Sequence, residues 1–141
     1  MIDLHEELNT FLEEFQDKNI AWGEDDCSAW PALWASRRRG GKIVLPNYSS
    51  EAEAHALIER AGSLCAVWED IAARIGVFET TEPKCGDIAI IEMGAIPQMG
   101  AIFGEGGIAL LRATYGPADD RKDGIRPIRP YPRTIVKAWA I

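Results

Sequence analysis

The stretch Cys85-Gly86-Asp87-Ile88-Ala89-Ile90-Ile91 marks the point where this chain changes character. A turn pair leads into a short run of branched apolar residues, and Asp87–Ile91 therefore reads as a buried strand. Everything upstream has helical spacing. Leu4, Leu8, Phe11, Leu12 and Phe15 share one face of a first helix whose other face is acidic. Asn19 ends it and Trp22-Gly23 turns the chain. Asp25 or Asp26 is placed to N-cap a second helix, about residues 27 to 38, with Trp30, Leu33 and Trp34 on its apolar side. Pro31 falls in its first turn, where a missing N–H costs little, and Gly40-Gly41 stops it. Lys42 to Ser49 reads as a loop. Ser50-x-x-Glu53 is a capping box for a third helix, 51 to 61. Ser63 opens a fourth, with Leu64, Val67, Trp68, Ile71 and Ile75 as its stripe and Gly76 as its stop.

Downstream of the marker the runs are of strand length. Residues 98 to 103, 108 to 112, 125 to 128 and 134 to 139 are expected strands. Gly104–Gly107 is expected to be a hairpin turn, 116 to 124 a polar loop, and a proline-rich turn precedes the last strand. Helices first and an antiparallel meander after them predict an α+β fold, with residues 1–141 as a single domain.

The chain has 141 residues, 47% hydrophobic and 26% charged, enough to bury a core without staples. Its formal net charge of −7 argues against nucleic acid as a partner, since phosphate binding needs local positive charge. No apolar run approaches the roughly 20 residues that span a bilayer, so membrane insertion is not expected. The first residues lack the pattern of a signal peptide, and synthesis in a reducing cytoplasm is expected. Cys27, Cys65 and Cys85 are odd in number and widely spaced. They fit neither a disulfide framework nor a metal knuckle, and no metal or cofactor is expected.

The stretch that bears on chemistry is Ala21-Trp22-Gly23-Glu24-Asp25-Asp26-Cys27. A cysteine at a helix start feels unpaired N–H groups and the macrodipole, which stabilise a thiolate. Asp25 and Asp26 act in the opposite sense, because neighbouring carboxylates raise a thiol pKa. Cys27 therefore reads either as a nucleophile or as a small buried apolar residue. Trp22 beside it reads as a groove wall or as a residue buried in the turn. His5 falls on the polar side of the first helix, and His55 on the third, where it is expected to face solvent. Trp30, Trp34 and Trp68 have core spacing.

Trp22-Gly23-x-x-Asp26-Cys27 at a helix start resembles the nucleophile motif of the NlpC/P60 cysteine peptidases, a circularly permuted papain-like family that cuts peptidoglycan stem peptides. Cys85-Gly86-Asp87-Ile88-Ala89-Ile90 resembles the Gly-Asp-Leu/Ile strand of that family. The family then has a strand carrying its general-base histidine. The corresponding run here is Pro97-Gln98-Met99-Gly100-Ala101-Ile102-Phe103, and Gln98 stands at the histidine position. A C-terminal tryptophan, Trp139, resembles the small phage-encoded branch. The resemblance implies a papain-like, NlpC/P60-type single domain, its N-terminal helices packed on a small antiparallel sheet. Cys27 would be the nucleophile, and Trp22, Asp26 and Asp87 would border the pocket.

Glutamine has no titratable nitrogen and cannot accept the thiol proton. The implied protein is therefore a degenerate peptidase scaffold rather than an enzyme. The phage-like features imply a structural or assembly component of a tail, near the distal tip or hub, located in the virion with other tail proteins as partners. The alternative is an active peptidoglycan-cleaving cysteine peptidase or amidase using Cys27. Charge is uneven along the chain: residues 1 to 26 hold nine acidic side chains and one lysine, and residues 121 to 137 hold six basic side chains and one acid. Such polarity either steers head-to-tail contacts into a homo-oligomer or docking on a charged neighbour, or brings the two segments together within one monomer.

Overall fold

The structure, a computed structural model, describes residues 3–40, 47–94 and 96–141. Most of the expected 42–49 loop, residues 42 to 46, lies outside the described residues. The fold is α+β, with four helices preceding a six-stranded sheet. The helices are α1 (Leu4–Phe15), α2 (Ala29–Arg39), α3 (Glu51–Ala61) and α4 (Leu64–Ile75). The strands are β1 (Glu79–Thr80), β2 (Ile88–Met93), β3 (Ile96–Phe103), β4 (Ala109–Tyr115), β5 (Lys122–Ile128) and β6 (Ile135–Trp139). Their order is β1-β6-β2-β3-β4-β5, and every neighbouring pair is antiparallel. The C-terminal strand thus lies between the two-residue β1 and β2.

The helix ends follow from their capping chemistry. Ser50 Oγ accepts from Glu53 N, and Ser63 Oγ accepts from Ala66 N. The return arm of the expected capping box reaches one residue further back, where Glu53 Oε2 accepts from Ser49 N at 2.7 Å. Gly40 and Gly76 close α2 and α4 in the left-handed conformation.

One core cluster lies between helices and sheet. Phe11 stacks on Trp30 at 5.7 Å and leans on Trp34 at 5.4 Å, joining α1 to α2. Trp34 Nε1 donates to Gly86 O at 2.7 Å, which ties α2 to the turn before β2. Trp68 of α4 packs against Trp139 of β6 at 5.6 Å. A second cluster, including Ile91, Phe103 and Leu111, covers the opposite face of the sheet. Burial on both faces explains why β2 reads as a continuous apolar run rather than an alternation. The 3-10 turn Pro132–Thr134 packs against β2 as the chain crosses back to β6.

One expectation is corrected. The polar segment 116 to 124 is loop only as far as residue 121, because β4 and β5 extend the hairpin through Thr114↔Asp123 and Tyr115↔Lys122. Asp123 holds that extension together: its Oδ1 accepts from Thr114 Oγ1 at 2.5 Å, and its Oδ2 accepts from Ile20 N at 2.8 Å. Polar residues form strand here because both of those bonds suit an exposed hairpin end. The connection at 104 to 107 contains a 3-10 turn, Glu105–Gly107. Strand β1 has no apolar pattern in the sequence and exists through its pairing with β6.

Candidate functional site

The turn from Trp22 to Ser28 is built by two buried aspartates. Asp26 caps α2: its Oδ1 accepts from Ser28 N at 3.0 Å and Ala29 N at 3.1 Å, while its Oδ2 accepts from Gly23 N at 2.7 Å. Tyr48 also donates its hydroxyl to Asp26, 2.7 Å from Oδ2. Asp25 Oδ1 accepts from Ala21 N at 2.7 Å. Its Oδ2 faces Arg112 of β4 at 3.3 Å and Lys18 at 3.5 Å. The fully buried Arg112 guanidinium also donates to Phe15 O at 3.0 Å and Lys18 O at 2.5 Å. One arginine on the sheet therefore holds the end of α1 and the turn that carries Cys27.

Cys27 and Gln98 border the same cleft, of about 840 Å³. Its walls are the Trp22–Ser28 turn, Tyr48, one face of α3, the start of α4, and the facing ends of β2 and β3 at Glu92, Gln98 and Met99. Gly100 lets the turn sit this close to the sheet: a Cβ there would lie 2.6 Å from Cys27 O and 2.7 Å from the Trp68 ring. Trp22 and Asp26 line the cleft as well, and Trp22 is half-buried in its wall rather than enclosed in the turn. Asp87 lies away from the cleft. Its carboxylate accepts from Lys84 N at 2.8 Å and Ile141 N at 3.0 Å, fastening the C-terminus beside the turn into β2.

The electrostatics disfavour a thiolate. The Cys27 thiol is pushed up to about 11, first by burial and then by the charge of Asp26, with Glu51 adding to it. The N–H groups at the start of α2 would lower this value, but Ser28 N and Ala29 N are engaged by the Asp26 carboxylate. A backbone hydrogen bond still lowers the Cys27 value, and burial and the Asp26 charge outweigh it. Burial and the bond to Asp26 likewise hold the Tyr48 phenol above its ordinary range.

Gln98 is committed elsewhere. Its Oε1 accepts from Cys65 N at 3.0 Å, a side-chain cap on the first turn of α4. Neither histidine is bonded to Cys27 among the described residues. His5 Nδ1 is 2.7 Å from Glu105 and 3.9 Å from Cys85 Sγ. His55 stands on the α3 wall of the cleft, exposed, with Nε2 3.9 Å from Glu51. Among the described residues no group of histidine, cysteine and carboxylate side chains is arranged to hold a metal ion.

Tyr48, Arg112 and the rim carboxylates Glu51, Glu59 and Glu92 were not singled out from the sequence. Arg112 left one signal, a lone charge inside the apolar run Ala109-Leu110-Leu111-Arg112-Ala113. The carboxylates left none, because exposed glutamates on a helix look alike until the helix is docked.

Comparison with curated proteins and with solved structures finds no match. A family model matches residues 1–141, the whole chain. The protein belongs to the DUF6950 family, a domain of unknown function.

Proposed function

We propose that this protein is a structural or assembly component of a phage tail, in the distal tip or hub region, built on a papain-like NlpC/P60-type scaffold whose peptidase site is degenerate. It would reside in the virion, after synthesis in the host cytoplasm, with other tail proteins as partners. The observation that carries this reading is the pairing inside the cleft. Cys27, held protonated, shares it with a glutamine that caps a helix, where a peptidase needs a base on the same strand. A thiol pushed up to about 11 stays protonated near pH 7.

Alkylation by iodoacetamide tests this directly, with Cys65→Ser and Cys85→Ser as background. The rate is expected to stay low near neutrality and climb only toward pH 11. An apparent pKa below about 6.5, against the reference near 8.5, would reverse the reading. In the phage, Cys27→Ala is expected to leave particle assembly and infectivity intact, at a stability cost of roughly 1 kcal/mol. Lost infectivity with normal folding and assembly would count against it.

One observation favours the enzymatic alternative, in which Cys27 is the nucleophile of a peptidase or amidase: His55 borders the same cleft from α3. That reading requires fast alkylation at neutral pH that His55→Ala abolishes.

A further inference from the structure

The cleft is acidic as well as partly aromatic. The exposed carboxylates Glu51, Glu59 and Glu92 line it together with Trp22, Tyr48 and apolar residues including Ile58 and Val67, and no lysine or arginine does so among the described residues; Asp26 is buried and already bonded. A cleft of this kind suits an extended chain that offers guanidinium groups to the carboxylates and flat apolar rings to the aromatics.

The same molecule displays these groups on an exposed connection that runs from the end of β5 to the 3-10 turn Pro132–Thr134. Residues 126 to 133 read Arg126-Pro127-Ile128-Arg129-Pro130-Tyr131-Pro132-Arg133, with three arginines, three prolines and no acid. Tyr131 has φ −75° and ψ 151°, the polyproline II conformation, and its side chain is 67% exposed. Arg126, Arg129 and Arg133 are exposed and form no ion pair among the described residues. Among the described residues Arg129 donates to Gly106 O, and Arg133 lies over the Tyr131 ring. Of the four glutamates of α1, Glu14 and Glu7 are taken by Arg37 and Arg38 of α2. A proline-fixed segment has little conformational entropy left to lose on docking.

The segment cannot reach its own cleft. Ile128 is held opposite Ala109 in β5–β4, and Ile135 opposite Ile91 in β6–β2, so the sheet pins it at both ends. None of its residues lines the cleft.

We infer that the proline- and arginine-rich segment 126–133 of one copy docks in the acidic, aromatic cleft of a second copy, so that the chain associates head to tail. The two surfaces differ, so the contact is heterologous and propagates into a ring or an open filament. The inference rests on the assembly reading above for its setting, and the two fail separately. Intact particles with Cys27→Ala but no self-association would remove the docking and leave the assembly reading.

Sedimentation velocity on the full chain tests it. Association is expected to grow with concentration and to weaken at least tenfold between about 0.1 M and 1 M salt, as the screening length falls from about 10 to 3 Å. Two double variants of exposed residues divide the contact: Arg129→Glu with Tyr131→Ala breaks the segment, and Glu51→Lys with Glu59→Lys breaks the cleft. Each alone is expected to be monomeric and still cooperatively folded. Mixed, they are expected to form a one-to-one dimer and nothing larger, because one intact segment meets one intact cleft and both remaining surfaces are blocked. A wild-type chain that stays monomeric to about 1 mM would overturn the inference. So would variants that associate like wild type, or a mixture that gives no dimer.

Discussion

Replacing Arg112 with methionine is expected to lower unfolding stability by about 3–5 kcal/mol, read as a shift of the urea midpoint at unchanged slope. Methionine keeps most of the side-chain volume, so a cavity is not the main cause. The loss comes from groups left behind. Asp25 is 1% exposed, and Arg112 is the only buried cation facing it among the described residues. The carbonyls of Phe15 and Lys18 lose their donor in the same step. Lys18 stays 3.5 Å from Asp25 Oδ2, but it is half-exposed and leaves the two carbonyls without the donor that Arg112 supplied. Replacing both members, Arg112→Met with Asp25→Asn, is expected to recover part of the loss, because breaking one half of a buried pair costs more than removing both charges. A single-variant loss below about 1 kcal/mol would show that the ion pair does not hold the turn.

Gly23→Ala is expected to cost about 3 kcal/mol, from two sources that a control separates. The residue has φ +87°, where a side chain is strained, and an added Cβ would overlap the carbonyl oxygen of Tyr48. Gly40 also has positive φ, +64°, but nothing lies within 4 Å of an added Cβ. Gly40→Ala is therefore expected to cost only about 1 kcal/mol, the strain alone. The difference between the two reports the close approach of the turn to Tyr48. Gly23→Ala is also expected to change Trp22 fluorescence, because Gly23 N and the Tyr48 hydroxyl meet on the same Asp26 oxygen. Equal costs for the two alanines would mean that Tyr48 is not packed on the turn.

These two positions clarify what kind of cleft this is. Asp26 organises it by accepting three backbone N–H groups and a phenol, and that service is incompatible with an activated Cys27 a single residue away. A motif that looks nucleophilic along the chain is, in space, a carboxylate cap with a protonated thiol beside it. The exposed glutamates of α3 and Glu92 of β2, not this carboxylate, make the cleft attractive to cations.

Much of the architecture was legible along the chain, because local rules carry it. Ser50, Ser63, Gly40 and Gly76 mark helix ends by hydrogen bonds and φ values that involve only their near neighbours. The 3.6-residue spacing of Leu8, Phe11 and Phe15, and the apolar run at 88–91, identify the faces that must be buried. Segregated helices and strands then suffice for the α+β class.

The site was legible only in part, since its decisive contacts join residues far apart in sequence. Cys27 and Gln98 were both singled out, and they do share a cleft. That Gln98 caps α4, that Arg112 reaches Asp25 across 87 positions, and that Asp87 fastens the C-terminus all depend on strand order and register. Hydrophobic period and capping chemistry act over a few residues and are written in the order of the amino acids. The protonation of Cys27, the carboxylate rim and the free arginine segment arise from desolvation and charge placement, which exist only once β2, β3 and β4 bring distant side chains to one place.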